Sequence, residues 1–173
     1  MGDRALLTDL YELTMGQAYL DAGLHEKPAA FSLFFRTLPE GWRYAIAAGL
    51  DDALTYLEEL RFDSDDLGYL ESTGLFSTGF LEYLRDLRFT GEVRALPEGT
   101  LVFPHEPLLE VTAPAVEAQL VESALMNQVH LQTLIASKAA RSVDTAGGRL
   151  LVDFALRRAH GEDAALKVAK RGT

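Results

Sequence analysis

The sequence predicts an α/β fold: helices surround a small β layer, and one apolar strand follows near the end of the chain. Three patterns carry that expectation. Residues 116–146 place apolar side chains at helical spacing, and residues 91–111 alternate and are broken by Pro and Gly corners. Leu150-Leu151-Val152-Asp153-Phe154 is a dense apolar run of strand length.

The elements follow in order. Thr8 or Asp9 can cap a first helix whose apolar positions are Leu10, Leu13, Ala18 and Leu20. Gly23 ends it, since glycine enters the left-handed region at no cost, and Pro28 blocks continuation. Residues 30–36 are aromatic-rich and bounded by Pro28 and Pro39, which predicts a strand, with Pro39-Glu40-Gly41 as a turn. Residues 44–60 space alanine and leucine as a helix, and residues 63–88 predict short helices punctuated by Gly68, Gly74 and Gly79. Short strands follow over 91–96, 101–103 and 108–111, with corners at Pro97-Glu98-Gly99-Thr100 and Pro104-His105-Glu106-Pro107. The long helix of 116–146 carries a stripe of Leu120, Ala124, Met126, His130, Leu131, Leu134, Ile135 and Ala139, and Gly147-Gly148 breaks it. After the strand at 150–154, a last helix is expected over 163–170. A strand buried on both faces needs parallel neighbours, and no later strand follows it here; either it joins the earlier strands or the chain is a fragment of a longer protein, and a fragment is the expectation.

Composition narrows the function. A formal net charge of −10 argues against a nucleic-acid binder. The absence of cysteine removes disulfide and thiolate chemistry, and the histidines His25, His105, His130 and His160 show no metal-ligand spacing. No stretch is apolar enough for a membrane span and the N-terminus has no signal pattern, so a cytoplasmic location is expected. Charge is uneven: acids crowd residues 51–66, and Arg149, Arg157, Arg158, Lys167, Lys170 and Arg171 gather near the end. For residues 167–171 a solvated helix face is the expectation.

One constellation stands out. Arg157 and Arg158 follow an apolar strand, at the strand end where α/β proteins bind ligands. Arginine grips carboxylate or phosphate with paired hydrogen bonds, and Phe154 offers a ring on which a planar ligand can stack. On spacing alone, an alternative stays open in which an arginine pairs with Asp153 and Phe154 is core. Taken singly, Tyr11 is an ordinary interfacial tyrosine and Arg36 an ordinary surface arginine.

Four stretches in order, LLTDLYELTMGQAYL, FSLFFRTLPEG, YAIAAGLDDAL and LLVDFALRRAHG, resemble the N-terminal blocks of nicotinate phosphoribosyltransferases, and LMNQVHLQTLIASKAAR resembles the helix before that family's barrel. The resemblance runs from Leu6 to about Ala169. It implies a type II phosphoribosyltransferase: an α+β N-terminal sandwich with its connecting helix over 1–146, and the first strand and helix of an irregular α/β barrel, incomplete, over 147–173. The implied reaction joins nicotinate to phosphoribosyl pyrophosphate, giving nicotinate mononucleotide for NAD synthesis. It is coupled to ATP through a phosphohistidine, with magnesium on the phosphates. The resemblance also implies a homodimer with shared sites. In it, Tyr11 of one subunit stacks on the pyridine opposite Phe154 of the other, Arg157 sits beside the ring, and Arg36 meets phosphate from across the dimer. Arg158 and His160 belong to the same block.

Some features depart from the family. Its phosphohistidine block is expected beyond Thr173, so His160 is not that residue, the catalytic residue is unassigned, and this portion alone is expected to be inactive. Ala155 stands where many relatives carry glycine. A nicotinamide-using relative remains an alternative, as does a non-catalytic dimerising remnant if the chain ends at Thr173. A biotinyl-like carrier is set aside, because no lysine lies between Lys27 and Lys138 to take the cofactor.

Overall fold

A computed structural model describes residues 4–154 and 156–171; Ala155, Gly172 and Thr173 lie outside the described residues. The α/β class holds. The described residues form two compact units that interleave in sequence: those within 4–33, 51–94 and 109–126 make the first, and those within 34–50, 95–108, 127–154 and 156–171 the second.

In the first unit, helix α1 (Leu10–Asp21) starts at Asp9, as its capping side chain predicts. Strand β1 (Pro28–Phe34) follows, then α2 (Leu50–Glu59), α3 (Ser64–Ser72) and α4 (Thr78–Asp86). Asp63 and Ser77 cap α3 and α4 by accepting from the backbone N–H of Asp66 and Phe80. Strand β3 (Glu92–Ala95) and β5 (Pro107–Pro114) complete a sheet of order β1-β5-β3. Along β5, after the buried Leu108, burial alternates on Leu109, Val111 and Ala113, the period-2 pattern of a sheet with one covered face.

The core of this unit gathers Phe80, Leu84, Val111, Val116 and Leu120, each essentially inaccessible. Burying such a side chain contributes about 1.5–3 kcal/mol. Helix α1 packs on α5 (Ala115–Leu120). Gly16 permits the approach: a Cβ there would lie 3.2 Å from the Phe80 ring and 3.4 Å from Val116. Thr90, remote in sequence in the segment before β3, donates through both its N–H and its hydroxyl to the buried Glu117 of α5.

In the second unit, β2 (Ala45–Ile46) pairs antiparallel with β4 (Leu101–Val102), Ala45 opposite Val102. The long helix α6 (Glu122–Ala146) gives its first residues to the first unit and the rest to the second. A 3-10 turn (Leu156–Arg158) and α7 (Glu162–Arg171) close the described chain.

Four expectations need correction. The helix expected over 44–60 begins only at Leu50, because Ala45 and Ile46 pair with β4 and Gly49 takes a φ of +98°. The helix expected over 116–146 is two, with the last carbonyls of α5 ending at Val121. The apolar stripe of α6 is not its buried face along the whole length. Met126 and His130 are exposed, while Gln128, Gln132, Thr133 and Ser137 are buried. They are polar for a reason: Ser137 Oγ accepts from Ile46 N–H at 2.7 Å and Thr133 Oγ1 from Ala48 N–H at 3.2 Å, so the helix satisfies a backbone that has no ladder on that side. Finally, residues 150–154 form no strand. Leu150 is 89% exposed, and among the described residues no strand lies beside it; a β-strand exists only through hydrogen bonds to a neighbour.

Candidate functional site

Tyr11 projects from the first turn of α1 and is half exposed. Its hydroxyl donates to Glu12 Oε1 at 3.4 Å, and Glu122 lies close enough to bond it as well. Partial desolvation, then the Glu122 carboxylate, then the charges of Glu12 and Asp9 hold the phenol well above its ordinary range. The side chain is therefore a neutral donor at its tip with an accessible ring.

Glu12 is the residue that sequence reasoning missed. It is fully buried. Its Oε2 accepts from Thr8 Oγ1 and from Asp9 N–H at 3.1 Å. Its Oε1 accepts from Ser123 N–H at 3.1 Å and Ser123 Oγ at 2.8 Å. One carboxylate thus caps its own helix and the start of α6 together, where the positive ends of two helix dipoles favour an anion. A signal existed: Asp9 followed three residues later by Glu12 is the spacing of a capping box. Nothing local pointed to Ser123.

The remaining expected site residues lie in the second unit. Arg36 follows β1 and is exposed. Just before it, Phe35 carbonyl accepts from His105 N–H at 2.8 Å, and His105 takes a φ of +68°. Phe154 is 73% exposed. Arg157 and Arg158 sit in the 3-10 turn with exposed side chains, and this turn packs on α7. His160 is exposed just before α7, next to Gly161 at φ +100°. Arg157 and Arg158 thus share the 3-10 turn, and Phe154 and His160 are exposed near it in the sequence.

Lys167 departs from expectation. It is 6% exposed, and its Nζ donates to Gln128 Oε1 and lies 2.7 Å from Asp163 Oδ2. An ammonium so committed is an internal tie between α7 and α6, not part of a solvated face.

Among the described residues no group of three or more His, Asp or Glu side chains is placed to hold a metal ion. Nor is any helix among them long and apolar enough to cross a membrane. An open apolar groove of about 100 Å³ lies in the first unit, lined by Phe31, Leu109, Val111, Val121 and Leu125 with Glu122. None of the expected site residues lines it.

Comparison with known proteins adds what geometry alone does not. Residues 6–130 match the sequence profile described as the nicotinate phosphoribosyltransferase (NAPRTase) N-terminal domain. The chain is 56% identical over 166 residues to nicotinate phosphoribosyltransferase pncB2 of Mycobacterium tuberculosis, covering 96% of this chain and 36% of that protein. It is 49% identical over 162 residues to nicotinate phosphoribosyltransferase of Bacillus subtilis, covering 94% of this chain and 33% of that one. The crystal structure of human nicotinic acid phosphoribosyltransferase superposes with a TM-score of 0.87 at 40% identity, over 96% of this chain and 34% of that chain. The chain therefore spans about a third of the length of the relatives it matches. With a profile match over residues 6–130 and a shared backbone, the chain belongs to the nicotinate phosphoribosyltransferase family, of which it carries the N-terminal domain.

Proposed function

We propose that this chain is the N-terminal part of an enzyme that condenses nicotinate with phosphoribosyl pyrophosphate. The pyridine nitrogen forms a bond to the anomeric carbon as the bond from that carbon to pyrophosphate breaks. Nicotinate mononucleotide and pyrophosphate result, and the product feeds NAD synthesis. Residues 147–173 begin a barrel domain in this reading, and the enzyme acts as a cytoplasmic homodimer.

Roles follow from chemistry. The Tyr11 ring stacks on the pyridine from the neighbouring subunit, and Phe154 offers the opposite face. Stacking on both faces fixes the nucleophile's orientation, which removes part of the entropic barrier. Arg157 and Arg158 meet the nicotinate carboxylate, where a guanidinium bonds two oxygens at once. Arg36 takes phosphate oxygens, and His160 lines the same turn. Magnesium and ATP coupling come to the proposal from the family relationship alone.

The observation that carries this reading is the accessible Tyr11 ring on a helix whose first turn is tied down at its hydroxyl end. A core tyrosine would bury its ring. In the full-length enzyme, Tyr11→Ala is expected to raise the KM for nicotinate by about tenfold, the upper value for losing one aromatic stack, with the thermal midpoint little changed. A collapse in thermal stability with an unchanged nicotinate KM overturns it. Arg158→Ala is expected to lower affinity for nicotinate more than for nicotinamide. An equal effect on both would assign the acid preference elsewhere.

A further inference from the structure

We propose that Glu12 is a positioning residue for Tyr11, holding the stacking ring in register by clamping α1 to the start of α6. The inference rests on the proposed stacking role of Tyr11. Its ground is a buried carboxylate whose two oxygens serve different elements. Oε2 faces Thr8 and the Asp9 N–H, at the start of α1. Oε1 faces Ser123, N–H and hydroxyl, in the first turn of α6, and also receives the Tyr11 hydroxyl. Ser123 Oγ also lies 3.1 Å from Asp9 Oδ2, so its single proton is shared between two acceptors at the start of α1.

A fully buried carboxylate is costly to desolvate unless each oxygen is supplied with donors, and here each is. Two of those donors are backbone N–H groups, which cannot rotate away. They belong to segments far apart in sequence, so the carboxylate fixes one segment against the other as well as stabilising each. Tyr11 is the next residue in the chain to this anchor. Its hydroxyl is held by the same oxygen that holds Ser123, so a shift of the clamp becomes a shift of the ring.

The charge state is what the clamp needs. In Glu12→Gln one end of the side chain becomes an NH2 group. Whichever way the amide turns, that NH2 faces a backbone N–H, either of Asp9 or of Ser123. One arm of the clamp must open while the volume stays the same.

The test is a double-mutant cycle in the full-length enzyme, reading the KM for nicotinate, the KM for phosphoribosyl pyrophosphate, and kcat. Glu12→Gln is expected to raise the nicotinate KM by about three- to tenfold, with the KM for phosphoribosyl pyrophosphate unchanged. In a Tyr11→Ala background the same change is expected to add nothing, because the ring it positions is gone. If Glu12→Gln raises the nicotinate KM by the same factor in both backgrounds, or raises both KM values together, Glu12 acts on overall structure and the proposal fails while the Tyr11 reading stands. If Tyr11→Ala itself leaves the nicotinate KM unchanged, the reading beneath it fails, and the proposal with it. Should Glu12→Gln not fold, Ser123→Ala takes its place in the cycle. It removes one donor to Oε1 and keeps the backbone N–H, and the same outcomes decide.

Discussion

The guanidinium carbon of Arg141 lies 4.0 Å from the centre of the Trp42 ring and 4.6 Å from that of Tyr44. Its N–H groups also donate to the carbonyls of Ser137 and Tyr44. A planar cation with two aromatic faces and two carbonyl partners pins the segment after the Pro39 turn onto α6. Arg141→Ala is expected to cost about 2–3 kcal/mol in urea unfolding, the sum of modest cation–π and hydrogen-bond contributions. Arg141→Lys should recover less than half of that, since an ammonium keeps the charge but not the flat face. Full recovery by lysine would mean that only the charge matters.

Gly49 sits where no other residue fits. Its φ is +98°, and a Cβ would lie 2.7 Å from the Gln128 carbonyl oxygen and 3.1 Å from Val129 Cα, both backbone atoms of α6. Gly49→Ala is expected to destabilise by about 2 kcal/mol or more, combining an unfavourable φ with overpacking that a side chain cannot relieve. Gly74→Ala is the control: its φ is positive but nothing lies within 4 Å, so it should show the backbone cost alone. Equal losses at both positions would rule out the contact with α6 as the cause.

Tyr56 is buried, and among the described residues its hydroxyl has no hydrogen-bond partner. Burial, then the charge of Glu12, pushes its ionisation well above the ordinary range. An unpaired buried hydroxyl carries a desolvation cost of about 1–3 kcal/mol, so Tyr56→Phe is expected to leave stability unchanged or raise it by up to about 1 kcal/mol. A clear loss in chemical denaturation would reveal a partner for that hydroxyl.

Tyr83 sets an alkaline limit. Its ring stacks on Phe80 with centroids 6.4 Å apart and meets His25 edge-on. Burial, then the charges of Glu26 and Glu117, raises its ionisation from 10.0 to about 12. The unfolded chain therefore releases this proton first, and folding is favoured by the neutral phenol. That contribution is fully present below pH 10 and is lost as pH rises from there towards about 12. Between those values, stability measured against pH should fall less steeply in Tyr83→Phe than in the parent. Identical slopes would assign the alkaline loss to other groups.

How much of this was legible in the chain depends on how local the cause was. Caps, breakers and periodicity act over a few residues. Asp9 opening α1, Gly23 past its end, the short helices of 63–88 and the strands around Pro97 to Pro107 could all be read from neighbours in sequence. The family blocks were equally legible, since they are strings of adjacent residues, and Arg157 and Arg158 stay together because they share one 3-10 turn.

Tertiary structure decided what depends on a partner far along the chain. The pattern of residues 150–154 is that of a strand, yet a strand is a hydrogen-bonded relationship, and none stands beside it among the described residues. Lys167 has the sequence of a solvated face but is buried, because Gln128, on another helix, supplies its acceptor. Glu12 looks like a surface acid at the start of a helix. It is buried because Ser123 presents an N–H and a hydroxyl that make a dry carboxylate tolerable. For Lys167 and Glu12, burial of a charged group follows from where its partners come to lie in space, and the fold alone brings them together.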